Sequence, residues 1–409
     1  MQMKTRMKWL QGTTRLAGDG LLGAVDTVEG MHLAIVESVA RFVPFGGLVT
    51  RATAFTYARV RDVAQVTCRT TDGALALLER RATRGPLREE VGTTQLAWLS
   101  ALNGAIGDRL EASANPLAIE MRLCRNGREL DPRSTELGQS IDAANGTLIL
   151  FVHGLGMNDL QWRDARGDTF GSQLEAAGIG HALYLRYNSG RRISANGRDL
   201  SRLLQTLHEA QARVLRRIVL VGHSMGGLVN RAACAHAQRQ RLNWAGALDE
   251  VICLGTPHLG APLERFGDSL SNLLAATSFT RSLAMVAETR SAGVKDLREG
   301  WASDRDRGND DDGSDDPGLP FADRVRWRLA AATLSTHSTG TRARWIGDGL
   351  VPVPSALGQH EDPQRSLHLP ASHRHVFTRL GHMDLLTDVQ VFARVREWLA
   401  TRDRQPRRQ

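Results

Sequence analysis

The hexapeptide Gly222-His223-Ser224-Met225-Gly226-Gly227 holds the residue types that acyl transfer needs. An apolar run precedes it and a helical pattern follows. In that context a sharp strand-to-helix turn lifts a serine hydroxyl above the edge of a sheet. Glycines two positions either side of Ser224 suit the turn, because strand and helix backbones pass too close there for Cβ atoms. A serine hydroxyl is a weak nucleophile at neutral pH, so it needs a base, and the base needs an orienting carboxylate. In such a fold both follow the serine along the chain, acid first.

Asp348, in Gly347-Asp348-Gly349-Leu350-Val351-Pro352, follows a strand candidate and is expected at the carboxyl end of the sheet, with Asp362 in reserve. His382, in Gly381-His382-Met383-Asp384-Leu385-Leu386, lies on a loop before the last helical pattern; His368, His373 and His375 remain open as alternatives. The segment His153-Gly154-Leu155-Gly156 comes directly after an apolar strand. A loop there could aim the Leu155 N–H at the same point as the Met225 N–H, and two such donors would hold a developing oxyanion. Losing one donor typically costs about 2.7 to 4 kcal/mol. His223, inside the elbow, is expected to pack beside the nucleophile, and His258 precedes the acid in chain order. Together with His153 and Gly154 they are expected around the substrate.

The elements that must position these residues alternate. Short apolar strand candidates at Thr147 to Val152, His181 to Arg186, Arg217 to Val221, Glu250 to Leu254 and Arg342 to Ile346 are separated by helical patterns at Thr169 to Ala177, Gly197 to Val214 and Gly227 to Arg239. Such alternation predicts a mostly parallel sheet covered on both faces. Before it, helical stretches over Gly20 to Arg81 and Glu89 to Leu110 lead to an apolar run, Leu117 to Cys124, closed by an Asn126-Gly127 turn that suits a hairpin. Between Pro262 and Gly340 the alternation stops, which predicts an insertion. Its acidic stretch Asp304 to Asp316 fails as a calcium loop: with Gly313 at loop position six, positions one and twelve become Gly308 and Leu319, and neither is a carboxylate. The expected organisation is an N-terminal helical region over 1–115, a catalytic domain over 116–400 with a cap or lid at 262–340, and a basic tail over 401–409.

Composition narrows the class. With 409 residues, 42% of them hydrophobic and 23% charged, the chain is neither disordered nor a fibrous rod. The net charge is +8, and its basic residues are nearly all arginine, scattered among acids and not gathered with aromatics on one face. A nucleic-acid partner is therefore not expected, while peripheral contact with an anionic membrane surface is compatible with the charge. The four cysteines have neither metal-ligand nor disulfide-scaffold spacing. The basic start, Met1 to Leu10, is followed by polar residues, and no stretch is long and apolar enough to span a bilayer. A cytoplasmic location is the expectation.

The motifs HGLG, GHSMGG, LGTPHLGAP, GDGLVP and GHMDLL, in this order, resemble those of the α/β-hydrolase superfamily, in particular bacterial lipases and esterases similar to GPI inositol-deacylase-like serine hydrolases. The resemblance covers roughly Gly146 to Ala400. It implies an α/β-hydrolase fold, a triad of Ser224, Asp348 and His382, oxyanion donors at Leu155 and Met225, no cofactor and no metal, and a pocket mouth near Thr256 to Pro262. The implied activity is a carboxylic-ester hydrolase acting on acyl-ester or lipid substrates through an acyl-enzyme. A thioesterase or acyltransferase would use the same triad. A scaffold that kept only the fold would lack a member of it, and none is missing here. A metal-dependent hydrolase would need more than His373-Arg374-His375.

Overall fold

The β-strands, in chain order, are β1 (Arg122–Arg125), β2 (Arg128–Leu130), β3 (Thr147–Val152), β4 (His181–Arg186), β5 (Arg217–His223), β6 (Leu248–Leu254), β7 (Arg326–Thr333) and β8 (Arg374–Thr378). They form one sheet in the order β2-β1-β4-β3-β5-β6-β7-β8. The β1–β2 hairpin is antiparallel, as is its junction with β4, and every other pairing is parallel. The helices are α1 (Thr93–Ala112), α2 (Thr135–Ala143), α3 (Phe170–Ala176), α4 (Ile193–Ala210), α5 (Met225–Gln240), α6 (Ala292–Glu299), α7 (Val353–Ala356) and α8 (Val389–Ala400). This computed structural model describes residues 11–15, 58, 59, 62, 93–261, 291–302, 319–338, 340 and 345–400.

The chain divides into two compact units, residues 1–90 with 110–118, and residues 91–109 with 119–409. In the first, Asn115 Nδ2 donates to the Gly12 carbonyl and Arg15 to the Ala114 carbonyl. The second holds the sheet and the larger part of α1.

β3 is buried at every position, so both of its faces are covered. Leu148, Leu150 and Val152 join a core with α4 and α5 residues such as Leu200, Leu204, Leu228 and Val229. Ile149 and Phe151 turn the other way, into a core with Trp162, Phe170, Leu174 and the α8 residues Val391, Val395 and Trp398. Side chains alternate across a strand, so one run of apolar residues feeds both layers.

Two strands differ from the sequence reading. β7 lies within the segment expected as insertion, and β8 was not expected. Arg326 and Arg328 make β7 read as polar, yet both pair with Glu250 of the neighbouring strand β6, and Arg326 also with Asp249. Of the strand expected at Arg342 to Ile346, Trp345 and Ile346 are helical, and 342–344 lie outside the described residues. The helices expected over Gly20 to Arg81, apart from residues 58, 59 and 62, the acidic loop, most of the cap segment, Cys68 and the basic tail also lie outside them. Among the described residues no helix is long and apolar enough to cross a membrane.

Candidate active site

β5 ends at His223, and Ser224 turns the chain into α5 with φ 52° and ψ −124°. That backbone region is costly for a residue with a side chain, on the order of 1 to 3 kcal/mol, and persists only where the surroundings enforce it. Here they do. A Cβ on Gly222 would stand 2.5 Å from the Gly227 nitrogen, and one on Gly226 would overlap the Val152 carbonyl oxygen, so both crossings require glycine. The Ser224 N–H donates to the Leu254 carbonyl at 2.8 Å, tying the turn to the end of β6.

Asp348 lies on the loop after β7 and His382 on the loop after β8, both buried. Asp348 Oδ2 accepts from His382 Nδ1 at 2.7 Å, and Oδ1 accepts from the Leu350 and Val351 N–H groups at 3.0 and 2.8 Å. The main chain adds a third tie, from the His382 N–H to the Asp348 carbonyl at 3.0 Å. A Cβ built on Gly255, next to the residue that anchors Ser224, would stand 3.2 Å from both Asp348 Oδ2 and His382 Cε1. The serine turn and the Asp348–His382 pair therefore meet at the carboxyl edge of the sheet. The reserve candidates do not. Asp362 is exposed and caps a short 3-10 turn through the Gln364 N–H, His368 is exposed, His373 ends the 3-10 turn before β8, and His375 lies at the start of β8. Among the described residues no three His, Cys, Asp or Glu side chains gather as a metal site.

The turn after β3 abuts the serine: a Cβ on Gly154 would lie 3.0 Å from Ser224 Cβ. The N–H of Gly156 donates to Ser189 Oγ at 2.9 Å, and the Tyr187 hydroxyl donates to the His153 carbonyl at 2.8 Å, its ring stacked on the His153 ring at 4.3 Å. Helix α1 braces the same turn. Asn158 Nδ2 donates to Ser100 Oγ, Asn188 Nδ2 donates to the Gly107 carbonyl, and Gly104 faces the Gly156 backbone, where a Cβ would stand 2.8 Å from the Gly156 Cα. The sequence reading missed Tyr187 and Ser189, and it gave the helical stretch over Glu89 to Leu110 no part in the site. Their one local signal is the turn-forming Asn188-Ser189-Gly190 that follows β4.

Of the residues expected around the substrate, His153, His223 and His258 are buried, at 0%, 0% and 3% exposure, as Ser224, Asp348 and His382 also are. Burial lowers the His153 pKa to about 4 and that of His258 to about 3, the latter helped by the nearby Arg231 charge. Burial also holds His223 well below the ordinary histidine value, with His382 adding to the effect. All three are neutral at pH 7. Gly154 keeps a place beside Ser224.

A mostly parallel sheet crossed by helices on both faces, with a strained serine at the β5–α5 turn, defines an α/β-hydrolase fold. Residues 143–296, which include the turn after β3, the serine turn and the Leu254 to Pro262 segment, match the family model described as PGAP1-like alpha/beta domain. Among solved structures, the chain is similar to the mature Bacillus licheniformis lipase BlEst2, with 18% identity over 68% of this chain and 98% of that one and a TM-score of 0.42. It is also similar to the lin2722 gene product of Listeria innocua, with 15% identity over 63% and 94% and a TM-score of 0.37. For the Pyrococcus furiosus esterase Pf2001 the values are 13%, 64% and 82%, with a TM-score of 0.36. No curated protein sequence matches the chain.

Proposed function

We propose that the chain is a serine carboxylic-ester hydrolase that works through an acyl-enzyme at Ser224. The observation that carries this reading is a strained, elbow-mounted Ser224 together with the buried Asp348–His382 pair, whose His382 carbonyl lies 3.0 Å from the ring of His223, the residue before the serine. Asp348 accepts the Nδ1 proton of His382, which leaves Nε2 as the base. His382 takes the hydroxyl proton as Ser224 Oγ bonds to the ester carbonyl carbon. The N–H groups of Leu155 and Met225 receive the oxyanion. His382 then returns the proton to the departing alcohol, leaving the acyl group on Ser224. In the second half His382 deprotonates a water, whose oxygen attacks the acyl carbon, and the proton passes to Ser224 as the carboxylic acid leaves.

Lipid-like acyl esters are the substrates favoured. Leu334, Trp345 and Met383 are large apolar side chains at 55%, 66% and 49% exposure. All lie near the reacting groups: Met383 follows His382, the Leu334 N–H donates to the Gly347 carbonyl, and Trp345 stands three residues before Asp348. An apolar rim there suits an acyl chain better than a charged substrate. Hydrolysis of p-nitrophenyl esters of graded chain length, by the wild type and by Ser224→Ala, tests both statements. Turnover that rises with chain length and vanishes in Ser224→Ala is expected. Turnover that survives the substitution contradicts the mechanism, and an optimum at acetate contradicts the substrate class.

A further inference from the structure

His382 lies on a loop, outside any strand or regular helix, so no ladder of main-chain bonds fixes it. Its N–H is held by the Asp348 carbonyl and its ring by the Asp348 carboxylate. The carbonyl, on the far side of the residue, is held by one side chain: His223 Nε2 lies 3.0 Å from it. A carbonyl oxygen only accepts, so Nε2 carries the proton and His223 donates. The two rings stand 4.6 Å apart at 48°, and Trp162 meets the other side of His223 edge-on at 6.3 Å. His223 Nδ1 is buried without a hydrogen-bond partner and faces the turn after β3, where a Cβ on Gly154 would stand 3.3 Å away.

We propose that His223 is a positioning residue, which sets the main chain of His382 by a Nε2–H···O=C bond and so joins the base to the nucleophile's own strand. This inference rests on the reading of His382 as the base. One side chain then touches three parts of the machinery: it is peptide-bonded to Ser224, hydrogen-bonded to His382 and packed on Gly154. A tilt of the His382 peptide by even an ångström swings Nε2 away from the serine hydroxyl, and misplacement on that scale can cost about 100-fold in rate. The ring also has to stay neutral, because His382 becomes positive during the reaction and a second imidazolium at this distance would oppose it. Burial keeps it so.

The two ring nitrogens provide the test, since a glutamine amide reaches roughly where Nε2 stands and an asparagine amide only as far as Nδ1. We would measure kcat, KM and fluorophosphonate labelling rate for the full chain and for His223→Gln, His223→Asn and His223→Leu, with melting temperatures. The ring 15N shifts of wild-type His223, assigned by their loss in whichever of the three variants keeps the wild-type melting temperature, supply a readout on the unsubstituted protein itself. The expected result is an Nε2–H tautomer that does not titrate between pH 5.5 and 8, as an order-of-magnitude pH span for histidine. In Asn and Leu variants kcat and labelling should fall on the order of 10- to 100-fold with KM nearly unchanged, and Gln should recover most of the loss. An Nδ1–H tautomer, a titrating ring, wild-type kcat in Asn or Leu, or a Gln variant no better than Leu would overturn the proposal while leaving the hydrolase reading intact. A wild type that neither turns over an ester nor takes the label would overturn both.

Discussion

Asp348 has no idle oxygen: Oδ1 receives two backbone N–H groups and Oδ2 receives His382. Replacing it with asparagine keeps the size but presents an amide N–H to His382 Nδ1, which selects the wrong imidazole tautomer. For Asp348→Asn we expect kcat to fall on the order of 10⁴-fold with little change in melting temperature, and ester kinetics beside a thermal melt check it. His153 and His258 make a second prediction at this scale. Their folded pKa values, about 4 and about 3, lie below the ordinary 6.5, so the unfolded chain binds more protons as pH falls below 6.5. Stability is then full above that pH and drains away below it, by about 1.4 kcal/mol per histidine per pH unit until each folded value is reached. A urea midpoint that drops between pH 7 and pH 5 agrees; a flat one does not. The candidate site residues were legible at this scale. Ser224, Asp348 and His382 stand in motifs whose glycines answer local backbone demands, so the sequence shows them without any knowledge of distant partners. His223 was visible as a residue, but its partner is a main-chain carbonyl 159 positions away, and nothing local encodes that.

At the scale of elements, the elbow and the helix α1 do different work. Gly226 lets α5 pass the end of β3, and Gly104 lets α1 lie on the turn that bears Leu155. Gly226→Ala should destabilise by about 1 to 3 kcal/mol through overpacking, seen as a lower urea midpoint. Gly104→Ala pushes the Gly156 backbone, whose N–H is tied to Ser189, and should lower kcat roughly tenfold with a smaller effect on KM. Ester kinetics decide it, and an unchanged kcat would remove α1 from the positioning of that turn. Neither β7 nor the role of α1 could be read beforehand. The arginines of β7 match a carboxylate on another strand, so its pattern resembles neither a solvent-facing nor a fully apolar strand. The contacts of α1 run through glycines and asparagines, which in sequence look like helix weakness.

Across the whole sheet, stability and chemistry occupy opposite ends. Glu250, with no exposed surface, lies near the start of β6 among Arg217, Arg326 and Arg328, while Ser224, Asp348 and His382 gather where the strands finish. Burial raises the Glu250 pKa, and the surrounding arginines oppose that rise. Glu250→Ala leaves the guanidinium groups facing one another and should cost about 3 to 5 kcal/mol, while kcat of the folded protein stays at the wild-type level. Denaturant melts with ester kinetics separate the two. The alternation of strands and helices made this layered architecture legible, and the order of the strands, with the hairpin strand β1 beside β4, became visible only with the pairing. The most direct test of the serine mechanism is mass spectrometry of the full chain after a fluorophosphonate, followed by peptide mapping. A single adduct on the peptide containing Ser224, absent in Ser224→Ala, is the predicted result; no adduct, or an adduct on another residue that persists in Ser224→Ala, would contradict it.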